Sequence, residues 1–225
     1  MGEAIGQLLP FAVGVAVSPM PVIAMILMLI TPKARVNGVV FVLGWIVGIC
    51  VAGAVFLALA SPTGASDDGE PAEWTYWLKL VLGVLLLLVA VKEWRARPAP
   101  GVEVPMPKWM GMLDGITAPK AGALAFVLSA LNPKNLIFIV GGAAVVAQAG
   151  LSAGDQVVAW AVFALIATIG VAAPLVIYFA MGERAASILD GLKSWMAQNN
   201  TAVMAVLCLI IGVKLVGDAI TGISS

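Results

Sequence analysis

The sequence predicts an all-α integral membrane protein: six transmembrane helices arranged as two inverted three-helix repeats, with helices 1 and 4 broken. Three observations carry that expectation. The 225 residues are 62% hydrophobic and 11% charged, with no histidine and a mean hydropathy of +1.07. A soluble domain is instead about 45–50% apolar and about 25% charged. Six apolar runs, residues 8–30, 36–60, 74–91, 122–146, 157–179 and 201–217, match the roughly 20 helical residues needed to cross a hydrocarbon core of about 30 Å. Prolines interrupt the first and fourth runs at corresponding places, Ser18-Pro19-Met20-Pro21 and Asn132-Pro133-Lys134-Asn135. Nothing alternates with period two, which argues against a transmembrane barrel.

Taken in order, the first run is read as a membrane helix rather than a cleaved leader, because Met1-Gly2-Glu3-Ala4 lacks a basic region and the apolar stretch is too long. The second carries Gly44, Gly48 and Ala52 at four-residue spacing, a pattern that allows close helix contact, inside the bundle or between the protomers of a homo-oligomer. The third ends near Lys92. Residues 98–113 then form a cytoplasmic proline-rich linker, with Pro98, Pro100, Pro105 and Pro107 beside Trp109 and methionines. After the fourth and fifth runs, residues 183–198 place Ile188, Leu189, Leu192, Trp195 and Met196 at helical spacing, as an amphipathic helix lying on the inner leaflet would. The sixth run follows it. Cys50 and Cys208 read as buried apolar fillers.

Lys and Arg set the orientation. Lys33 and Arg35, then Lys92, Arg95, Arg97, Lys108 and Lys120, then Arg184 and Lys193 fall in the first, third and fifth connections. The second and fourth connections hold only acids. The positive-inside rule therefore predicts a multi-pass protein of the cytoplasmic membrane with both termini outside. Residues 1–97 and 114–225 are the expected repeats. Pro19 aligns with Pro133, and with an odd number of spans in each half the second must be inserted upside down, as in many secondary transporters.

At the breaks, each proline removes a donor and displaces the carbonyl four residues back. Val15, Val17 and Ser129 would lose their partners, with Ser18, Asn132 and Asn135 as the polar neighbours able to serve them. Irregular backbone in lipid survives only when buried in protein or lining a wet cavity. A kink is the simpler outcome, but two matched prolines with polar flanks favour a cavity. Lys134 lies near the centre of its run, where a lysine costs about 2.5–3.5 kcal/mol. No acid is found in a neighbouring run at comparable depth. Among snorkelling, neutralisation and an anionic ligand met in a cavity, the last is favoured. Lys79 and Lys214 lie nearer the outer ends, where snorkelling is easy, and Lys214 can pair with Asp218 at i+4.

Asn132-Pro133-Lys134-Asn135-Leu136-Ile137-Phe138 resembles the Asn-Pro-Lys motif of the lysine exporter superfamily. Ser18-Pro19-Met20-Pro21 resembles its first-helix Pro-Gly-Pro turn, with Met20 in place of the glycine. The short, histidine-free plan with a proline-rich linker is most similar to the actinobacterial branch called GAP or sulfolipid-addressing proteins. That resemblance implies movement of glycolipids or peptidoglycolipids to the cell surface, often beside a larger lipid exporter. It also implies a translocation site at Pro19, Pro21, Asn132, Pro133 and Lys134, to which the local chemistry adds Ser18, Met20 and Asn135.

Export of amino acids or other small organic anions is the second expectation, and a non-transporting assembly factor the third. No phosphate-binding loop of the Walker type occurs, and no intramembrane acid offers itself for proton coupling. Thiol–disulfide electron transfer is disfavoured because Met20 and Lys134 stand where such carriers hold cysteine. Metal export is disfavoured by the missing histidines and the lack of intramembrane carboxylates. No enzymatic activity, cofactor, metal or nucleic-acid partner is expected. The expected partners are membrane lipids or glycolipids.

Overall fold

A computed structural model describes residues 1–60, 73–98 and 115–224, and every regular element among them is helical. The first apolar run becomes α1 (Gly2–Ala16) and α2 (Pro19–Leu29), bent by 49° at the break. Next come α3 (Ala34–Ala60) and α4 (Glu73–Arg95). The fourth run comprises α5 (Ala118–Phe126), a widened π turn (Val127–Leu131) and α6 (Pro133–Gln148), bent by 60°. Then follow α7 (Ala153–Met181), a 3-10 turn (Gly182–Arg184) and α8 (Ala185–Ser224). The linker expected over 98–113 lies outside the described residues apart from Pro98.

Among the described residues, α3, α4, α7 and α8 are each long and apolar enough to cross a membrane, and counting each bent pair as one span brings the total to six. The core is aromatic at its centre. Phe11, Phe41, Trp45, Phe138 and Phe163 are fully buried between α1, α3, α6 and α7. The outer faces are apolar as well: Leu43, Val47, Val51 and Val55 of α3 and Leu165, Ile169 and Val176 of α7 are exposed. Helices apolar on every side suit a bundle whose solvent is lipid.

Two glycines permit the closest approaches of backbone to backbone. A side chain at Gly44 would run into the backbone of Gly122 on α5, and one at Gly170 into the carbonyl of Ala16, the last residue of α1. The small-residue stripe of α3 thus packs inside the bundle, with Gly48 against Ser129 and Phe126.

Two expectations are corrected. The amphipathic stretch at 183–198 and the sixth run are one unbroken 40-residue helix, α8. Asn199-Asn200-Thr201 is polar enough to end a hydropathy run, but it contains neither Pro nor Gly to end a helix. And Cys50 is exposed on the bundle's surface, while Cys208 is buried as expected.

Candidate functional site

The two breaks share one local geometry. Ser18 (φ −60°, ψ 112°) and Asn132 (φ −69°, ψ 119°) are both extended, as a residue before proline prefers. Pro19 and Pro133 then take the first position of a new helix, where a missing N–H costs nothing. The prolines therefore start α2 and α6 rather than kink a continuous helix, which corrects the expected reason for the break. Pro10 and Pro174 lie within α1 and α7 without ending them.

The released backbone groups are served differently from expectation. Val15 accepts from the Ser18 N–H at 3.2 Å. Asn135, fully buried, donates its side-chain amide to the Leu128 carbonyl at 2.8 Å inside the π turn, so Leu128 rather than Ser129 is the carbonyl it satisfies. Ser129 donates its hydroxyl to Phe126. Asn132 serves no carbonyl: its Oδ1 accepts from the Lys134 N–H at 3.1 Å and caps α6. Ser18 makes no such cap on α2.

A cavity of about 280 Å³ opens where the breaks meet, and it is lined by Ser18, Pro19, Met20, Asn132, Lys134, the π-turn residues Val127, Leu128 and Leu131, and Asn200 and Met204 of α8. Five of the eight residues singled out in the sequence thus share one cavity. Pro21 and Asn135 are buried outside its lining, and Pro133 is exposed. The first turns of α2 and α6 both face the space, and helix N-termini favour negative charge.

Lys134 has a partner, contrary to expectation. Its Nζ lies 2.6 Å from Oε1 of Glu93, with the lysine side chain 35% exposed and the glutamate 11%. Glu93 occupies the last turn of α4. It continues the buried stripe Thr75, Lys79, Leu82, Leu86, Ala90, whose steps of three and four residues mark one helix face. That stripe is the signal in the sequence: Glu93 falls in register with the core face, not with the solvated loop. Lys79 sits on the same face and is buried at 9% exposure, so it does not snorkel outward. Lys214 does pair with Asp218, at 2.6 Å. Among the described residues no cluster of metal-ligating side chains occurs.

These features define a polytopic α-helical membrane protein in which two restarted helices border a cavity lined by the lysine of an ammonium–carboxylate pair. The chain belongs to the family described as Sap, sulfolipid-1-addressing protein, which it matches over residues 8–221. No curated protein and no solved structure matches it.

Proposed function

We propose that this protein moves lipids with an anionic head, such as a sulfolipid or peptidoglycolipid, across or out of the cytoplasmic membrane, alone or as the membrane factor of a larger lipid exporter. The observation that carries the reading is Lys134: an ammonium that lines a cavity, held by a single carboxylate which an anionic head group can replace. The family description supports the cargo, since it speaks of addressing sulfolipid-1. The cavity wall supports a lipid with its tails left outside: Leu131 and Val127 line the cavity and are 62% and 47% exposed on the bundle's surface. A second, apolar groove of about 290 Å³ between α4 and α8, with Arg95 in its wall, is of a kind that accepts an acyl chain.

When the head group takes Lys134, Glu93 is left as a buried carboxylate without its cation. An unpaired buried charge is costly, so cargo binding is linked to a replacement cation at Glu93. The route follows the inverted-repeat plan of the lysine exporter superfamily. Exchanging the two halves carries the α3–α5 packing onto α7–α1, α3–α6 onto α7–α2, α2–α3 onto α6–α7 and α2–α8 onto α6–α4, while α4–α8 and α3–α7 map onto themselves. The α1–α6, α1–α8 and α7–α8 packings break the correspondence. With both termini outside, the Glu93 end of α4 faces the cytoplasm.

The test is genetic and chemical. Deleting the gene is expected to strip anionic glycolipid from the cell surface while the internal pool persists, with wild-type protein restoring it and Lys134→Ala failing to. An unchanged surface profile in the deletion strain, together with amino-acid efflux from vesicles containing the protein, would replace this reading with export of small organic anions.

A further inference from the structure

At the opposite end of the bundle from the Lys134 cavity lies a second space, of about 380 Å³, formed by the start of α1, the start of α4 and the end of α6. Its polar walls are Glu3, Gln7, Tyr76, Lys79 and Gln148. Two donors there have no acceptor. Lys79 is 9% exposed, and among the described residues its ammonium makes no hydrogen bond or ion pair; Nζ lies 5.8 Å from the centre of the Tyr76 ring. The side-chain amide nitrogen of Gln148 is buried with no partner. Of the nearby acids, Asp218, which lies within electrostatic reach of Lys79, is held by Lys214 at 2.6 Å, and Glu3, in the cavity wall, is exposed and accepts from Gln7 at 3.3 Å. Buried donors in native structures are ordinarily satisfied, and a buried ammonium most of all.

We propose that this cavity is an anion-binding site for a sulfate, phosphate or carboxylate group, with Lys79 and Gln148 as its donors. Lys79 and Glu93 stand on one face of α4, fourteen residues and so roughly 21 Å apart. One helix therefore presents an anion-responsive charge at each end of the bundle: Lys79 directly, and Glu93 through its hold on Lys134. The site's place as an outer station for the head group of the transported lipid rests on the function proposed above; the anion site itself does not.

Two probes test it on the full chain: phosphatidylglycerol in nanodiscs, followed by native mass spectrometry, and inorganic sulfate, followed by calorimetric titration. Lys79→Gln is expected to weaken binding of at least one probe by about tenfold or more, the scale of a lost hydrogen bond to a charged group. Lys79→Arg should retain it. A loss confined to phosphatidylglycerol identifies a lipid head group as the ligand, whereas a parallel loss of sulfate means that a free anion suffices. If Lys79→Gln does not fold, Gln148→Leu removes the other donor and should weaken the same probe. Wild-type affinity for both probes in a folded Lys79→Gln or Gln148→Leu variant overturns the proposal. Lys134→Ala separates the two sites: a loss in Lys134→Ala alone keeps the lipid reading and removes this one, and a loss in Lys79→Gln alone does the reverse.

Discussion

At the scale of single residues, function turns on whether Glu93 competes with the cargo for Lys134. The pair is short, at 2.6 Å, and unevenly buried. Removing the carboxylate has two expected effects of opposite sign. Glu93→Gln should bind anionic lipid more tightly, by about tenfold or 1.4 kcal/mol, because the competitor is gone. It should also unfold at a lower temperature, though at a cost below the roughly 3–5 kcal/mol of halving a fully buried pair, since the Lys134 side chain is 35% exposed to the cavity. Titration of short-chain phosphatidylglycerol into the purified variant reads the first effect, and unchanged or weaker affinity would rule out the exchange. Lys134 itself was legible in the sequence, as a charge within an apolar run. Its partner was not, because depth was counted along the chain. A break that bends the backbone by 60° makes distance along the sequence a poor measure of depth, and α4 carries Glu93 past the end of its apolar run to meet the bend.

At the scale of the element, the breaks depend on the residue before the proline as much as on the proline. Pro10 follows Leu9 and Pro174 follows Ala173, and both helices continue; Pro19 follows Ser18 and Pro133 follows Asn132, and both helices restart. Ser and Asn tolerate the extended conformation at a helix start better than Ala or Leu do. The prolines marked the breaks in the sequence, while the geometry behind them was not visible there, since a π turn and the Asn135–Leu128 bond leave no compositional trace. The other determinant is the approach of α7 to the end of α1 at Gly170. Gly170→Val should push the Ala16 carbonyl away and destabilise the protein by about 1–3 kcal/mol, the usual range for overpacking. Gly154→Ala is the matched control, because its added carbon meets only Ser152 Oγ at 4.0 Å. Thermal unfolding of the two variants checks the contrast, and equal stability would mean that the contact at Ala16 yields freely.

At the scale of the whole molecule, hydropathy and prolines were enough to find the apolar helices and locate the breaks. Which helices pack together was out of reach, because helices apolar on all sides carry no stripe that names a partner; the long α4–α8 and the tight α3–α5 packings come from the fold alone. The proposed inverted plan makes a demand that local chemistry does not. Each bent pair must cross the membrane as one span, for if α1–α2 turned back as a re-entrant loop the two halves would no longer be inverted. Four single-cysteine variants on a Cys50→Ser, Cys208→Ser background decide this, each at an exposed position: Gly2→Cys, Lys33→Cys, Ala153→Cys and Arg184→Cys. In intact cells a membrane-impermeant maleimide is expected to label positions 2 and 153, and to reach 33 and 184 only after permeabilisation. That pattern follows from the basic residues of the first, third and fifth connections. Labelling of 2 and 33 from the same side would make the first break a re-entrant hairpin, end the equivalence of the halves, and place the Lys134 cavity and the Lys79 cavity on a path that the pseudo-symmetric plan does not provide.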